Sequence, residues 1–379
     1  MILKILTLLN SFLFITAVLF IRCSMERLPR PSEIFLSKKS KISISAIGDV
    51  MLHAPQLTSA YQKDCKCWDF KPVFEEVKPH IEKDDLSIGN LETTLPGDPK
   101  LFSAYPEFGS PDEIVSAMKY IGMDVLTTSN NHSMDKGKKG LIRTLDVLDK
   151  EGVHHTGTFR SNDEYTQKPF LIVKAKDWKI AILAYTYGTN GIAVPKAVKV
   201  NLIDKKQIAD DLEKALGERP DLVIVSYHFG DEYQRFPNSF QKEIVQYSFE
   251  EGADVVLGSH PHVLQPYEYQ EVKDKYGHTK KRLAIFSLGN FISSQYWRYS
   301  NGGIIFRFEA EKTGNDLMIQ NVSYVPVFVY SSYEKGRKYY LLDAKNYLQN
   351  DRSMRLTNIA HRNLVEFYED TLRHLGNRQ

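Results

Sequence analysis

Short apolar runs recur along this chain, and each gives way to polar residues at its carboxyl end: ISAIGDVMLH, LSIGNLETT, DVLTTSNNHSMD, LVIVSYHFGDEY and DVVLGSHPHVLQ. Short apolar runs bounded by turn residues read as buried strands. The pattern predicts strands at Ile42–Ile47, Leu86–Ile88, Val125–Thr128, Leu222–Ser226, Val255–Leu257 and Leu283–Ser287. Between them, helical spacing predicts helices at Val73–Glu82, Pro111–Ile121, Lys138–Glu151, Lys205–Leu216 and Ser239–Glu250. Alternating strands and helices are the mark of βα units. The 111–121 helix opens on Ser110-Pro111-Asp112-Glu113, which reads as a capping serine followed by proline and acids in the first turn. Gly122 then marks its stop. Phe170–Lys174 and Lys179–Tyr187 read as a hairpin, and Gly303–Ala310 and Met318–Tyr330 add late strands, so a second sheet packed on the first is expected. Arg355–Leu375 reads as an amphipathic terminal helix.

In an open α/β sheet the carboxyl ends of the strands converge on one crevice. Here those ends carry metal-type ligands. Gly48 allows a tight turn that points Asp49 inward, and a carboxylate there suits Mg²⁺, Mn²⁺, Fe or Zn²⁺. His53 follows four residues on. Glu92 lies just past a strand end with Asn90 two residues earlier. In SNNHSMDKGKKG, Asn131 can ligate a metal while His132 donates a proton, with Asp135 fixing the tautomer of His132. His228 ends a strand, and His260 and His262 flank Pro261, which stiffens the backbone so that both rings reach one site. Glu232, Gln265 and Asn290 are expected as supporting or substrate contacts. This inventory suits a centre of two divalent ions that activates water. No G-x-S-x-G elbow, Cys–His pairing motif or P-loop offers another chemistry.

The ordered motifs GDVML, GNLETTL, SNNHSMDKGKKG, YHFGDEY, GSHPHVLQ and FSLGNF resemble those of the CapA family of poly-γ-glutamate capsule synthesis proteins, over roughly residues 41–330. The resemblance implies a calcineurin-like metallophosphoesterase fold, an α/β four-layer α/β/β/α sandwich. It implies that Asp49, Glu92, Asn131, His228, His260 and His262 are the metal ligands and His132 the catalytic histidine. Two departures stand out: Met51 occupies the place of a histidine in the first phosphoesterase motif, and Glu92 replaces a bridging aspartate. The implied activity is hydrolysis of a phosphoester or related bond in capsular or envelope polymer biosynthesis. The expected partners are an anionic polymer or phosphoester substrate and a capsule synthesis complex. Two rivals remain: a non-catalytic polymer-binding subunit, and a hydrolase that trims an amide-linked polymer.

Composition changes this picture little. Lys and Arg number 49 against 47 Asp and Glu, giving a net charge of +2, and no basic stripe interleaved with aromatics points to nucleic acid. The amino terminus says more. Lys4 precedes the uncharged apolar run Ile5–Ile21, which ends at Arg22 and Cys23. It has the form of an export signal and is nearly long enough to span a bilayer, which takes roughly 17–25 residues. Three fates fit residues 1–23: a cleaved signal, a retained anchor, or lipidation at Cys23. Each places the folded part in the cell envelope, beyond a polar linker at 24–40. Residues 331–379 are expected as a carboxyl-terminal extension. Cys65 and Cys67, in KDCKCWDF, are too few for a structural zinc site, and either pair with each other or stay free.

Overall fold

The computed structural model describes residues 39–314, 316–332, 338–350 and 354–376. The apolar run Ile5–Ile21 and Cys23 lie outside the described residues. Among those described, no helix is long and apolar enough to cross a membrane.

The first strands are β1 (Lys39–Val50), β2 (Leu86–Leu91), β3 (Val125–Thr127) and β4 (His154–Thr156). They are followed by β5 (Leu171–Ala175), β6 (Trp178–Thr186), β7 (Leu222–His228), β8 (Val255–Ser259) and β9 (Leu264–Lys273). The last are β10 (Thr279–Leu288), β11 (Asn290–Ile292), β12 (Gly302–Thr313), β13 (Asp316–Ser332) and β14 (Lys338–Asp343). One sheet has the order β14-β13-β12-β1-β2-β3-β4, with β11 also pairing to β1. The other has the order β9-β10-β8-β7-β6-β5. At the heart of each sheet the pairings are parallel: β1 with β2 and β11, β2 with β3, and β8 with both β7 and β10.

A two-residue period decides how the layers stack, because successive side chains of a strand point to opposite faces. In β1, Ile42, Ile44 and Ala46 join a core shared with Ile180, Ile182, Ile224 and Ile285 of the second sheet. Ile47 and Val50 join a different cluster, with Leu141 and Leu145 of α2 (Gly137–Glu151) and Ile114 and Met118 of α1 (Glu113–Tyr120). In β6, Ile180 and Ile182 face the first sheet. Ala181 and Leu183 pack with Ile208 and Leu212 of α3 (Lys205–Gly217) and Ile244 and Val245 of α4 (Ser239–Glu250). The result is the four-layer α/β/β/α sandwich. Each fully buried aliphatic side chain contributes about 1.5–3 kcal/mol, so strands buried on both faces supply most of the stability.

The carboxyl-terminal region closes the architecture. β13 runs through the boundary expected at 330/331, and β14 forms the sheet edge beside it. Helix α5 (Asn358–Leu375) packs Leu364 and Phe367 against Phe328 and Tyr330 of β13. Its Asp370 accepts hydrogen bonds from Arg298 Nε and Nη2 at 2.9 and 3.1 Å and from Arg373 Nη2 at 2.6 Å.

Three local expectations need correction. Val73–Glu82 is not one helix but a 3₁₀ turn at Lys71–Val73 and a short helix at Lys78–Ile81. Pro79 has no N–H and its ring crowds the preceding turn, so a continuous helix would break there. Ser110 does not cap α1: its hydroxyl lies 2.8 Å from that of Thr93. The N-cap is Asp112, whose carboxylate is taken by Arg143 at 2.6 and 2.7 Å and caps nothing. Gly48 does not end β1 in a turn. The register skips from Ile47 to Asp49, and Asp49 N donates to Gly289 O at 3.0 Å.

That last feature carries a prediction. A Cβ at Gly48 would fall inside the van der Waals radius of Gly289 O, a backbone atom that cannot rotate away. Overpacking of this kind costs about 1–3 kcal/mol or more. Gly48→Ala is expected to lower the unfolding free energy by at least that amount in a urea titration. An unchanged midpoint would show that the backbone contact is not tight.

Candidate metal centre

Each candidate ligand takes its place from a strand end. Asp49 is the penultimate residue of β1, and in the register it lies beside Asn90 of β2 and Asn290 of β11. Glu92 follows β2, and Asn131 and His132 lie in the turn between β3 and α2. His228 is the last residue of β7, and His260 and His262 occupy the connection between β8 and β9. The first sheet therefore supplies the carboxylates, and the second supplies three imidazoles. All of these side chains are buried, with Asp49 and Glu92 fully inaccessible.

Glu92 is the hub. Its Oε1 lies 3.4 Å from His228 Nε2, 3.8 Å from His262 Nε2 and 4.0 Å from His132 Nε2. Asp49 bridges the sheets: Oδ2 lies 3.0 Å from His262 Nδ1, and Oδ1 accepts from Asn90 Nδ2 at 2.8 Å. Asn131 Oδ1 lies 2.9 Å from His228 Nε2. Potential ligand atoms fall into three overlapping sets, each within 4.8 Å: Asp49, Glu92 and His262; Glu92, His228 and His260; and Glu232, His260 and His262. Glu92 is common to the first two, as an ion-bridging carboxylate would be.

Beside this cluster stands a second constellation. His132 Nδ1 lies 2.6 Å from Asp135 Oδ2, an oxygen that also accepts from Phe108 N at 2.5 Å. The carboxylate fixes the proton on Nδ1 and leaves Nε2 facing Glu92. The edge-on Phe108 ring, 4.6 Å away, holds the imidazole in place.

The electrostatics are unbalanced without cations. Burial and the neighbouring Asp49 charge push the Glu92 carboxyl well above the usual carboxylate range. Burial opposes ionisation of Asp49 too, but hydrogen bonds from His262 and Asn90 and the charges of His262 and His228 hold it below that range. Burial likewise disfavours a charged His262, yet Glu92 and Asp49 raise it to about 9. His228 is pulled down to about 3 by burial, and His260 is held well below the ordinary value by burial and its histidine neighbours. Both oxygens of Glu92 and Nδ1 of His260 have no hydrogen-bond partner among the described residues. Orphaned buried groups of this kind are costly, and buried charges are normally paired or coordinate metals. A donor set of carboxylate, imidazole and amide oxygen suits divalent first-row ions. The residues present therefore fit the group expected of them.

The remaining residues take supporting places. The Asn90 amide is occupied by Asp49 and approaches His228 Nδ1 at 3.3 Å. Asn290 is fully buried, and its Nδ2 donates to Gln295 Oε1 at 2.9 Å and Ser300 O at 2.8 Å. The Gln265 side chain is taken up by Gln241 and by the carbonyl of Gln234. Glu232 is exposed, at the open side. His53 joins none of the three sets: its Nδ1 accepts from Ser294 N at 3.3 Å, and burial with the charge of His262 lowers it to about 4. Met51 is buried. Sequence reasoning missed Tyr187, whose ring lies 4.6 Å from His260. The strand-end rule would have found it, because Tyr187 follows Thr186, the register partner of His228. Sequence reasoning also left the backbone at the ligands unread: His260 and His262 hold left-handed φ values of 100° and 57°, a strain that functional sites commonly store.

Glu92→Gln tests the hub. It removes a buried carboxylate that has no hydrogen bond and keeps the shape, so without metal the variant is expected to melt at or above the wild-type temperature. The wild-type chain should gain stability on Mn²⁺ addition, about 2.7 kcal/mol at a hundredfold excess over Kd. The variant should lose most of that gain. An equal gain in both, followed by differential scanning calorimetry, would remove Glu92 from the ligand set.

Residues 43–295 match the family model described as bacterial capsule synthesis protein PGA_cap. The chain is 25% identical over 343 residues to the capsule biosynthesis protein CapA of Bacillus anthracis, covering 86% of this chain and 78% of that protein. It is 27% identical over 278 residues to the PGA biosynthesis protein CapA of Bacillus subtilis (strain 168), covering 72% and 69%. Among solved structures, the NAD nucleotidase NadN of Haemophilus influenzae is similar with a TM-score of 0.50 at 15% identity. That match covers 89% of this chain but only 61% of the nucleotidase, and it bears on the fold alone. The layered sheets with candidate ligands at their carboxyl ends are thus a metallophosphatase fold, and the chain belongs to the PGA_cap family of bacterial capsule synthesis proteins.

Proposed function

We propose that this protein is a divalent-metal-dependent hydrolase of a phosphoester, working in the assembly of a capsular or envelope polymer. The observation that carries the reading is the buried Glu92-centred cluster with the His132–Asp135 pair directed at it. Asp49, Glu92 and His262 would hold one ion, and Glu92, Asn131, His228 and His260 the other. Such a pair supplies Lewis acidity and water activation near neutral pH. His132 Nε2, which lies 4.0 Å from Glu92 Oε1, would deliver a proton to the leaving oxygen. Asp135 keeps the Nδ1 proton in place and stabilises the charged ring. Asn90 orients Asp49, and Asn290 braces the loop beyond the site.

The setting is the cell envelope, through an exported or anchored amino terminus. The Cys65–Cys67 disulfide supports this, because disulfides persist in oxidising compartments. The fold also serves a second reading, a non-catalytic subunit that binds an anionic polymer. Met51 favours it, since a buried thioether stands where the fold's enzymes carry a further imidazole.

Two measurements separate these readings. Purified full-length protein loaded with Mn²⁺ should carry about two ions per chain, lost in Asp49→Ala and His260→Ala, and should hydrolyse a simple phosphodiester. His132→Ala should keep its metal and lose about 10²–10⁴-fold in kcat, the usual worth of a general acid. Asp135→Asn should lose less. Undiminished turnover in His132→Ala would end its assignment as the acid, and metal without any turnover would favour the binding subunit.

A further inference from the structure

Four aromatic rings stand beside the centre with much of their surface in solvent. Tyr187, Tyr233 and Trp297 keep 43%, 39% and 43% of their surface in solvent, and Tyr296 keeps 80%. Large aromatics left this exposed beside a buried polar site are informative, whereas scattered exposed aliphatics are not. They form two walls. Tyr187 lies on His260, and its hydroxyl is 3.4 Å from Asn190 Oδ1. At the other histidine, Tyr233 lies 6.2 Å from His262, Trp297 meets Tyr233 edge-on at 5.3 Å, and Tyr296 meets Trp297 edge-on at 5.8 Å.

The second wall is held deliberately. Tyr233 has a left-handed φ of 63°, an outlying conformation for a bulky residue. It is secured there by its N–H bond to Pro261 O at 2.8 Å, between the two histidine ligands. Its hydroxyl accepts from Gln295 Nε2 at 3.2 Å, and Gln295 is in turn held by Asn290.

The charges at this mouth do not suit a polyanion. Glu232 is exposed, and its carboxylate is within 4.8 Å of the ligand nitrogens of His260 and His262. The cations that neighbour the wall in sequence are committed elsewhere: Arg298 bonds Asp370, and Arg235 and Arg298 both lie on the Tyr299 ring at 4.1 and 4.8 Å. A polyglutamate strand laid along this surface would meet the like charge of Glu232. Aromatic faces with an adjacent carboxylate instead match a neutral hydroxylated ring. Its C–H face packs on the aromatic ring, and its hydroxyls donate to the carboxylate and phenols.

We propose that the crevice takes a glycosyl phosphate, with the phosphate at the ligand cluster, the sugar ring against the Tyr233–Trp297 wall and its hydroxyls on Glu232. The proposal rests on the reading of the cluster as a divalent phosphoester site, and it names the group that the phosphate carries. Trp297 and Tyr233 then determine specificity and do no chemistry.

The test is binding by Mn²⁺-loaded full-length protein, followed by titration calorimetry. The probes are two non-hydrolysable phosphonates with the same charged group: the isostere of glucose 1-phosphate, and that of glycerol phosphate, which has no ring. The glucosyl compound should bind about tenfold tighter. Trp297→Leu should erase that preference while leaving the glycerol compound's Kd within about twofold, and Trp297→Phe should restore most of it. Equal Kd values in the wild type, or equal weakening of both probes in Trp297→Leu, would overturn the proposal and leave the phosphoester reading standing. Failure of both probes to bind a protein that does hold Mn²⁺ would overturn the phosphoester reading, and the proposal with it.

Discussion

A carboxylate sealed from water with neither oxygen hydrogen-bonded is the constraint around which this molecule is arranged. Glu92 is fully inaccessible, and three imidazoles, one at the end of β7 and two from separate loops, lie 3.4 to 4.0 Å from its Oε1. That spacing is too long for good hydrogen bonds and suits an intervening ion. Everything needed to hold it comes from two sheets. Asp49, Glu92, Asn131 and His132 hang from the first, and His228, His260 and His262 from the second. Ligand distances at the centre are therefore set by inter-sheet packing. The Ile42–Ile44–Ala46 face of β1 against the Ile180–Ile182 face of β6 does as much to place Asp49 near His262 as any contact within the site. Interiors packed to near-crystalline density transmit such shifts without absorbing them.

The same logic explains where backbone strain sits. His260, His262 and Tyr233 all hold left-handed φ values, and all three lie in the loops where the second sheet reaches toward the first. Pro261 stiffens the link between the two histidines, and its carbonyl receives the Tyr233 N–H. Unusual backbone conformations persist where surrounding structure over-determines them. Here that surrounding is the β7–β8 pair, in which His228 stands beside Ser259 in the register.

Much of this was legible in the sequence because the strands are short and buried on both faces. Continuous apolar runs mark such strands, and their ends mark the crevice. The ligand types at five run ends needed no structure to be noticed, and the structure brings Asp49, Glu92, Asn131, His228, His260 and His262 together. Other features were hidden for identifiable reasons. Gly48 reads as a turn, and only the approach of Gly289 from a distant strand shows that it serves close packing. Ser110 has the form of a cap, but Thr93 from another loop takes its hydroxyl. Val73–Glu82 keeps a helical rhythm that Pro79 interrupts. Tyr187 was within reach of the strand-end rule, and its contact with His260 shows why the rule applies to it. The Cys65–Cys67 pairing was open because spacing alone does not distinguish a bonded pair from two free thiols.

The place of β12 has a consequence for what counts as one unit of this protein. The stretch matched by the family model ends at residue 295, yet β1, which carries Asp49, has β12 (Gly302–Thr313) as its neighbour on one flank. A chain stopped where that match stops would keep every candidate ligand and lose that flank. Beyond its short pairing with β11, the strand at the middle of the sheet would then become an edge with unpaired amides, the kind of surface through which sheets associate. The span of the family model and the span of cooperative folding end at different residues here. Variation that leaves the chemistry intact can therefore still act through solubility, from a part of the chain that carries none of the motifs.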